Sequence, residues 1–137
     1  MRHELKKIFS PLSTSEQIGQ LSAASLAYLG DAVYELYVRS YFLVPPTRLA
    51  TYHQKVVAQV RAEAQAAHLR QLEPYLTAQE RSIVLRGRNR ATGKPKRLSP
   101  EIYQQASSLE TLIGYLYLQD HQRLAQLLEK LELTQKL

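Results

Sequence analysis

No stretch constrains the fold of this chain more than Ser25–Arg39, which reads Ser-Leu-Ala-Tyr-Leu-Gly-Asp-Ala-Val-Tyr-Glu-Leu-Tyr-Val-Arg. At helical period Leu26, Leu29, Val33, Leu36, Tyr37 and Ser40 fall on one face. The other side is hardly more polar, since Ala24, Ala27, Val38 and Phe42 lie there close to Asp31. A helix that is apolar nearly all round is expected at the centre of a fold. Asp31 is then expected among small apolar side chains, where an unpaired carboxylate is costly and calls for a cation. Arg39, two turns on, is too far along to be an obvious partner.

The remaining chain reads as helices separated by punctuation. Ser13-Thr14-Ser15-Glu16 has capping-box spacing and starts a short helix after Pro11. The central helix runs from about Leu21 to Phe42, and Pro45-Pro46 stops it. Gly30 lowers its local propensity and marks a close helix crossing. A third helix spans about Arg48 to Leu72, with Leu49, Tyr52, Val56, Val60, Ala64 and Ala67 at helical spacing and Pro74 beyond its end. Thr77-Ala78-Gln79-Glu80 is a capping box that opens a helix ending near Gly87. From Gly87 to Ser99 the pattern vanishes, and Asn89, Gly93, Pro95 and five basic residues describe an exposed loop. Ser99-Pro100-Glu101 starts a helix that reaches Leu118, and Asp120 caps a last one carrying Leu124, Leu127, Leu128 and Leu131. With no period-2 strand and no repeat, the expected class is all-α. The 137 residues fit a single domain, 1–137.

Charge is unevenly placed. Lys and Arg number 18 against 12 acids, yet Arg81 to Arg97 holds seven of the basic residues and no acid. The rest of the chain is therefore near neutral, and the basicity belongs to one segment, a loop at about 86–98. Such a patch is the electrostatic footprint of a polyanion binder, against the alternative of a solvated turn. The absence of cysteine excludes disulfides and thiolate zinc sites. His3, His53, His68 and His121 have no metal-ligand spacing. The N-terminal Met1–Lys7 leads into no apolar run, and no stretch approaches a membrane span, so the expected location is cytoplasmic, or the stroma of a plastid in a plant.

Two acids stand apart because their helical neighbours are apolar or small. One is Asp31. The other is Glu110, whose face carries Tyr103, Ala106, Ser107, Ile113, Gly114 and Tyr117. Two such carboxylates on different helices can share a divalent metal, with waters completing its oxygen shell. A metal there would activate water and stabilise charge building on a phosphoryl group. A basic loop beside it would hold a nucleic-acid backbone. The structural alternative is that Asp31 caps a helix restarted after Gly30 and Glu110 pairs with Arg39 or Arg86. Tyr34, Tyr37 and Tyr41 lie on one side of the central helix and suit a core or a subunit interface.

Leu26-Ala27-Tyr28-Leu29-Gly30-Asp31-Ala32-Val33-Tyr34-Glu35 resembles the signature helix of the ribonuclease III domain. Leu85-Arg86-Gly87-Arg88-Asn89 with its Lys/Arg loop, followed by Ser108-Leu109-Glu110-Thr111-Leu112-Ile113-Gly114-Tyr115-Leu116-Tyr117-Leu118, is similar to the short Mini-ribonuclease III branch, which lacks the double-stranded-RNA-binding domain. The likeness spans about Ser22 to Leu118. It implies the all-helical ribonuclease III endonuclease fold as a homodimer, with an active site at each end of one RNA groove. It also implies Mg²⁺-dependent cleavage of double-stranded RNA (Mn²⁺ as an alternative metal), leaving 5′-phosphate ends, with precursor ribosomal RNA as the substrate. Asp31 matches the signature aspartate and Glu110 the second metal-binding glutamate. Two further acidic positions of the broader family fall at Ala24 and Ala27, and the aspartate before Glu110 is Ser107. With fewer carboxylates, waters are expected to hold the metal and Ser107 to donate to one of them. One or two metals per site stays open.

The leading expectation is thus an endoribonuclease in which Asp31 and Glu110 bind Mg²⁺ while Arg86, Arg88, Asn89, Arg90, Lys94, Lys96 and Arg97 grip the RNA. The alternative is a ribonuclease-III-like domain kept as a catalytically inactive RNA- or ribosome-binding module. A weaker third reading is a helical interaction domain whose basic loop meets an acidic protein.

Overall fold

A computed structural model describes residues 14–91 and 97–133. The elements in order are α1 (Ser15–Gly19), α2 (Ala23–Tyr41), α3 (Leu49–Val60), α4 (Ala62–Leu72), a 3₁₀ turn (Glu73–Tyr75), α5 (Ala78–Arg90), α6 (Pro100–Gln119) and α7 (His121–Glu129). The fold is all-α, as the sequence implies, and the described residues contain no strand.

The central helix is α6 rather than α2. Helices α2, α4 and α5 all pack against it. Ala106, Ser107, Ser108, Leu109, Thr111, Leu112, Ile113, Gly114 and Leu116 are buried along it. Leu109 and Leu112 are 0% exposed, and each such side chain contributes roughly 1.5–3 kcal/mol. Helix α2 buries a narrower stripe than its composition implies: Leu26, Ala27, Gly30, Tyr34 and Val38. Of the face expected to be buried, Leu36 is 65% exposed and Ser40 is exposed as well. The stripe is chosen by what lets the α2 backbone approach α6, and small residues at 27 and 30 do that better than leucines at 29 and 36.

That approach is very close. A Cβ placed on Gly30 would lie 1.7 Å from the Glu110 carbonyl oxygen, and one on Gly114 would lie 1.9 Å from the Leu26 carbonyl oxygen. The close crossing expected at Gly30 is therefore present, with Gly114 as its counterpart. Gly87 plays the same part between α5 and α6, where a Cβ would come within 2.6 Å of Thr111 Oγ1. It does not end α5. The helix continues to Arg90, so Arg88, Asn89 and Arg90 are helical instead of lying in a loop. Lys94 and Lys96 lie outside the described residues.

The long third helix is two. Arg61 takes an extended conformation (ψ 159°), closing α3 and opening α4. No Gly or Pro marks this break, so periodicity alone runs through it. Side chains satisfy the carbonyls it frees: Tyr34 donates its hydroxyl to Gln59 O at 3.0 Å, and Gln65 Nε2 donates to Val60 O at 2.8 Å. At the first helix the cap is Thr14, whose Oγ1 accepts from Gln17 N, one residue after the Ser13 start that the capping-box spacing suggests. The box at Thr77 and Glu80 is present. Glu80 is also gripped by both Arg123 Nε and Nη2 (2.8 and 2.9 Å), tying α7 to the start of α5.

Tyr34 also shares a short hydrogen bond with His68 Nδ1. Burial pushes the His68 imidazole down to about 4. Between that value and the ordinary histidine range the unfolded chain binds more protons than the folded one. The contribution is complete above about pH 6.5 and is lost as pH falls towards 4.

Two expectations follow from this packing. Gly30→Ala forces α2 and α6 apart and should lower stability by about 3 kcal/mol, read by chemical denaturation; an unchanged midpoint contradicts the close crossing. His68→Gln, neutral at every pH, should shrink the difference in melting temperature between pH 7 and pH 4.5, and an unaltered difference assigns that pH dependence elsewhere.

Candidate active site

The geometry of the α2–α6 crossing decides where the acids go. Asp31 follows Gly30 directly, and Gly30 sits against the backbone of Glu110. Asp31 is consequently brought close enough to Glu110 to act on its carboxyl group, although the two are 79 positions apart in sequence. Asp31 itself is exposed, not enclosed among apolar side chains. It lies at the open border of the buried stripe, while Glu110 is half-buried on α6.

Glu110 is the perturbed member. Burial, then the hydrogen bond to Asp31 and the charge of Asp31, hold its carboxyl well above the usual carboxylate range. A hydrogen bond from the Gln65 amide and the positive charge of Arg90 pull the other way. Two carboxyl groups in contact retain a proton between them unless a cation replaces it. The alternative pairings for Glu110 are not formed: Arg39 bonds Glu35 at 2.8 Å, and Arg86 donates to Leu21 O at 2.8 Å.

The pair suits a small hard cation. Among the described residues no group of three or more His, Cys, Asp or Glu side chains gathers as a metal site. Mg²⁺ commonly takes only one or two protein carboxylates, keeping waters and substrate phosphate oxygens as its other ligands. Asp31 and Glu110 would hold it, and it would supply charge neutralisation at a phosphate.

The other expected residues are distributed unequally. Arg88, Asn89 and Arg90 are exposed on the last turn of α5, and Arg97 is exposed just before α6. Arg90 is near enough for its charge to act on Glu110, so the basic end of α5 borders the acidic pair. Arg86 is half-buried and props the α1–α2 connection through Leu21. Ser107 is 2% exposed and directs its hydroxyl to the Gly87 carbonyl at 3.4 Å, which occupies it between α5 and α6.

One residue of the site was not legible as such. Gln65 is buried on the first turn of α4, where its amide holds Val60 O, and it favours the ionised form of Glu110. In sequence it is an uncharged residue among Ala62, Ala64, Ala66 and Ala67, and the only signal is a polar side chain in an alanine run that otherwise suits close packing.

Comparison with known proteins gives a consistent assignment. The Ribonuclease III domain model matches residues 24–121. The Mini-ribonuclease 3 of Synechocystis sp. is 57% identical over 116 residues, spanning 85% of this chain and 81% of that protein. The Mini-ribonuclease 3 of Thermosynechococcus vestitus is 53% identical over 112 residues, 82% of this chain and 74% of that one. A crystal structure of a Fusobacterium nucleatum protein superposes with a TM-score of 0.74 at 28% identity, covering 80% of this chain and 90% of that chain. The chain therefore belongs to the ribonuclease III family, within its Mini-ribonuclease III branch.

Proposed function

We propose that this chain is a Mg²⁺-dependent endoribonuclease that cuts double-stranded RNA in the cytoplasm, with precursor ribosomal RNA as its substrate and 5′-phosphate ends as its product. The observation that carries the reading is the approach of Asp31 to Glu110 at the α2–α6 crossing, where Gly30 lies against the Glu110 backbone. Each acid alone is an ordinary helix residue. Together they concentrate negative charge where a dication relieves it, and the cationic end of α5 adjoins them.

In this reading Asp31 and Glu110 hold Mg²⁺, which supplies electrostatic stabilisation of the phosphate under attack when it is bound. Arg88, Asn89, Arg90 and Arg97 bind the phosphate backbone, joined by Lys94 and Lys96 from the same basic segment. Arg86, bonded to Leu21 O, contributes less than its charge suggests. An RNA duplex is read largely through shape, phosphates and 2′-hydroxyls, and these side chains match that chemistry.

The acting unit in this proposal is a homodimer. Tyr28 is 87%, Leu36 65%, Leu43 56%, Val44 72% and Leu49 78% exposed, all on α2 or between it and the start of α3. Large apolar side chains left exposed in this number are the raw material of an interface. A second copy covering it would also bring two acidic pairs onto one duplex. No helix among the described residues is long and apolar enough to cross a membrane.

The second reading, a catalytically inactive RNA- or ribosome-binding module, draws on the small donor set: alanines at 24 and 27 and a serine at 107. Cleavage separates the two. Asp31→Asn should reduce Mg²⁺-dependent cutting of duplex RNA by about a hundredfold or more while binding of the duplex, followed by electrophoretic mobility, stays within about twofold of the unmodified chain. A parallel loss of binding and cutting contradicts the metal role, and absence of cutting by the unmodified chain favours the binding module.

A further inference from the structure

Helices α2 and α5 converge on one turn of α6. Gly30 lies against the Glu110 carbonyl, and Gly87 lies against the adjoining Thr111 and the Cα of Ser108. The Ser107 hydroxyl meets the Gly87 carbonyl at 3.4 Å on the same turn. Each crossing seats its helix on α6, and neither by itself ties α2 to α5. A direct link does so. Arg86, the residue before Gly87, donates through Nη2 to the Leu21 carbonyl at 2.8 Å, although 65 positions separate the two. Leu21 precedes Ser22, whose hydroxyl caps α2 by accepting from Ser25 N. The Leu21 carbonyl therefore lies outside the hydrogen-bond ladder of α2 and is open to a donor from another helix. Arg88 and Arg90 follow Arg86 within four residues, about 6 Å of helix, so the anchor lies just behind the cationic turn.

We propose that Arg86 is a positioning residue for cleavage: its bond to Leu21 O sets α5 in register with α2, so that the cations on the last turn of α5 hold a phosphate over the acids carried by α2 and α6. Arg86 is then not a phosphate ligand, in contrast to what its place in the basic segment suggests. The register matters because the acids and the cations come from different helices, and a phosphate must meet both at once. A misplacement of about 1 Å between reacting groups can cost about a hundredfold in rate. Arg81 is a comparison within the same helix. Its Nη2 donates to the Glu73 carbonyl at 2.9 Å, a bond of the same kind at the end of α5 away from the acids. This proposal rests on the functional reading above and adds a residue that acts through Arg88 and Arg90.

The test compares the full chain with four variants in duplex-RNA cleavage, in metal-free binding of the same duplex over a range of salt, and in melting temperature. Arg86→Met should lower kcat about tenfold with KM little changed, and should keep the slope of log affinity against log salt. Arg86→Lys, which keeps a donor for Leu21 O, should recover most of that kcat. Arg88→Met, which removes a phosphate contact, should reduce the salt slope by about 1. Arg81→Met should lower the melting temperature and leave kcat within about twofold. A salt slope reduced in Arg86→Met as in Arg88→Met makes Arg86 a phosphate ligand and overturns the proposal. It is also overturned if kcat is unchanged in Arg86→Met, is lowered equally in Arg81→Met, or is no better in Arg86→Lys. An Arg86→Met chain too unstable to assay overturns it likewise, since Arg86 then supports the fold alone. The functional reading survives each of these results. Absence of cutting by the unmodified chain overturns that reading and the proposal together.

Discussion

Everything distinctive in this molecule depends on two helices touching backbone to backbone. Gly30 on α2 and Gly114 on α6 leave no room for even a methyl group between the chains. Helices separated by ordinary side chains lie 8–10 Å apart, and at that spacing two carboxyl groups on their flanks need not meet. Removing side chains at the crossing brings the flanks together. Asp31 is the next residue after one glycine, and Glu110 lies one helical turn before the other. Their contact is thus a consequence of packing, and the perturbation of Glu110 follows from that contact and from its burial on the central helix.

The surroundings of the pair balance this cost without cancelling it. Gln65 and Arg90 both favour ionised Glu110, yet burial and Asp31 outweigh them. A site tuned in this direction is poised for a cation. Arg90 also belongs to the cationic end of α5, so one side chain borders both the acids and the surface proposed to meet RNA. Elsewhere the charges are structural. Glu80 and Arg123 close α7 onto α5 with two short hydrogen bonds, and Arg86 ties α5 to Leu21. Hydrogen bonding to a carbonyl in this way makes Arg86, a cation of the basic segment, serve the fold.

Much of this was legible in the sequence because caps and prolines are local signals. Ser99-Pro100, Thr77 with Glu80, and Asp120 start their helices where expected. The two acids were singled out through family likeness and, for Glu110, through its apolar neighbours, whereas the enclosure expected around Asp31 is not found. What escaped were properties fixed by tertiary contact. The break at Arg61 is stabilised by Tyr34 and Gln65, which reach it from other turns and leave no trace in its own residues. Gly87 looked like a helix end because glycine usually is one, but here it admits Thr111. The buried face of α2 was misassigned because leucine is more hydrophobic than alanine, whereas the crossing selects for smallness. Gln65 carried no charge to draw notice.

The proposal that packing brings two distant acids together to hold one cation is open to a direct measurement. Crystals of the protein soaked in Mn²⁺ and measured at the manganese absorption edge test it most directly. An anomalous peak bonded to the carboxylates of both Asp31 and Glu110 is the expected result. A peak on only one of them, or none within bonding distance of either, would contradict it.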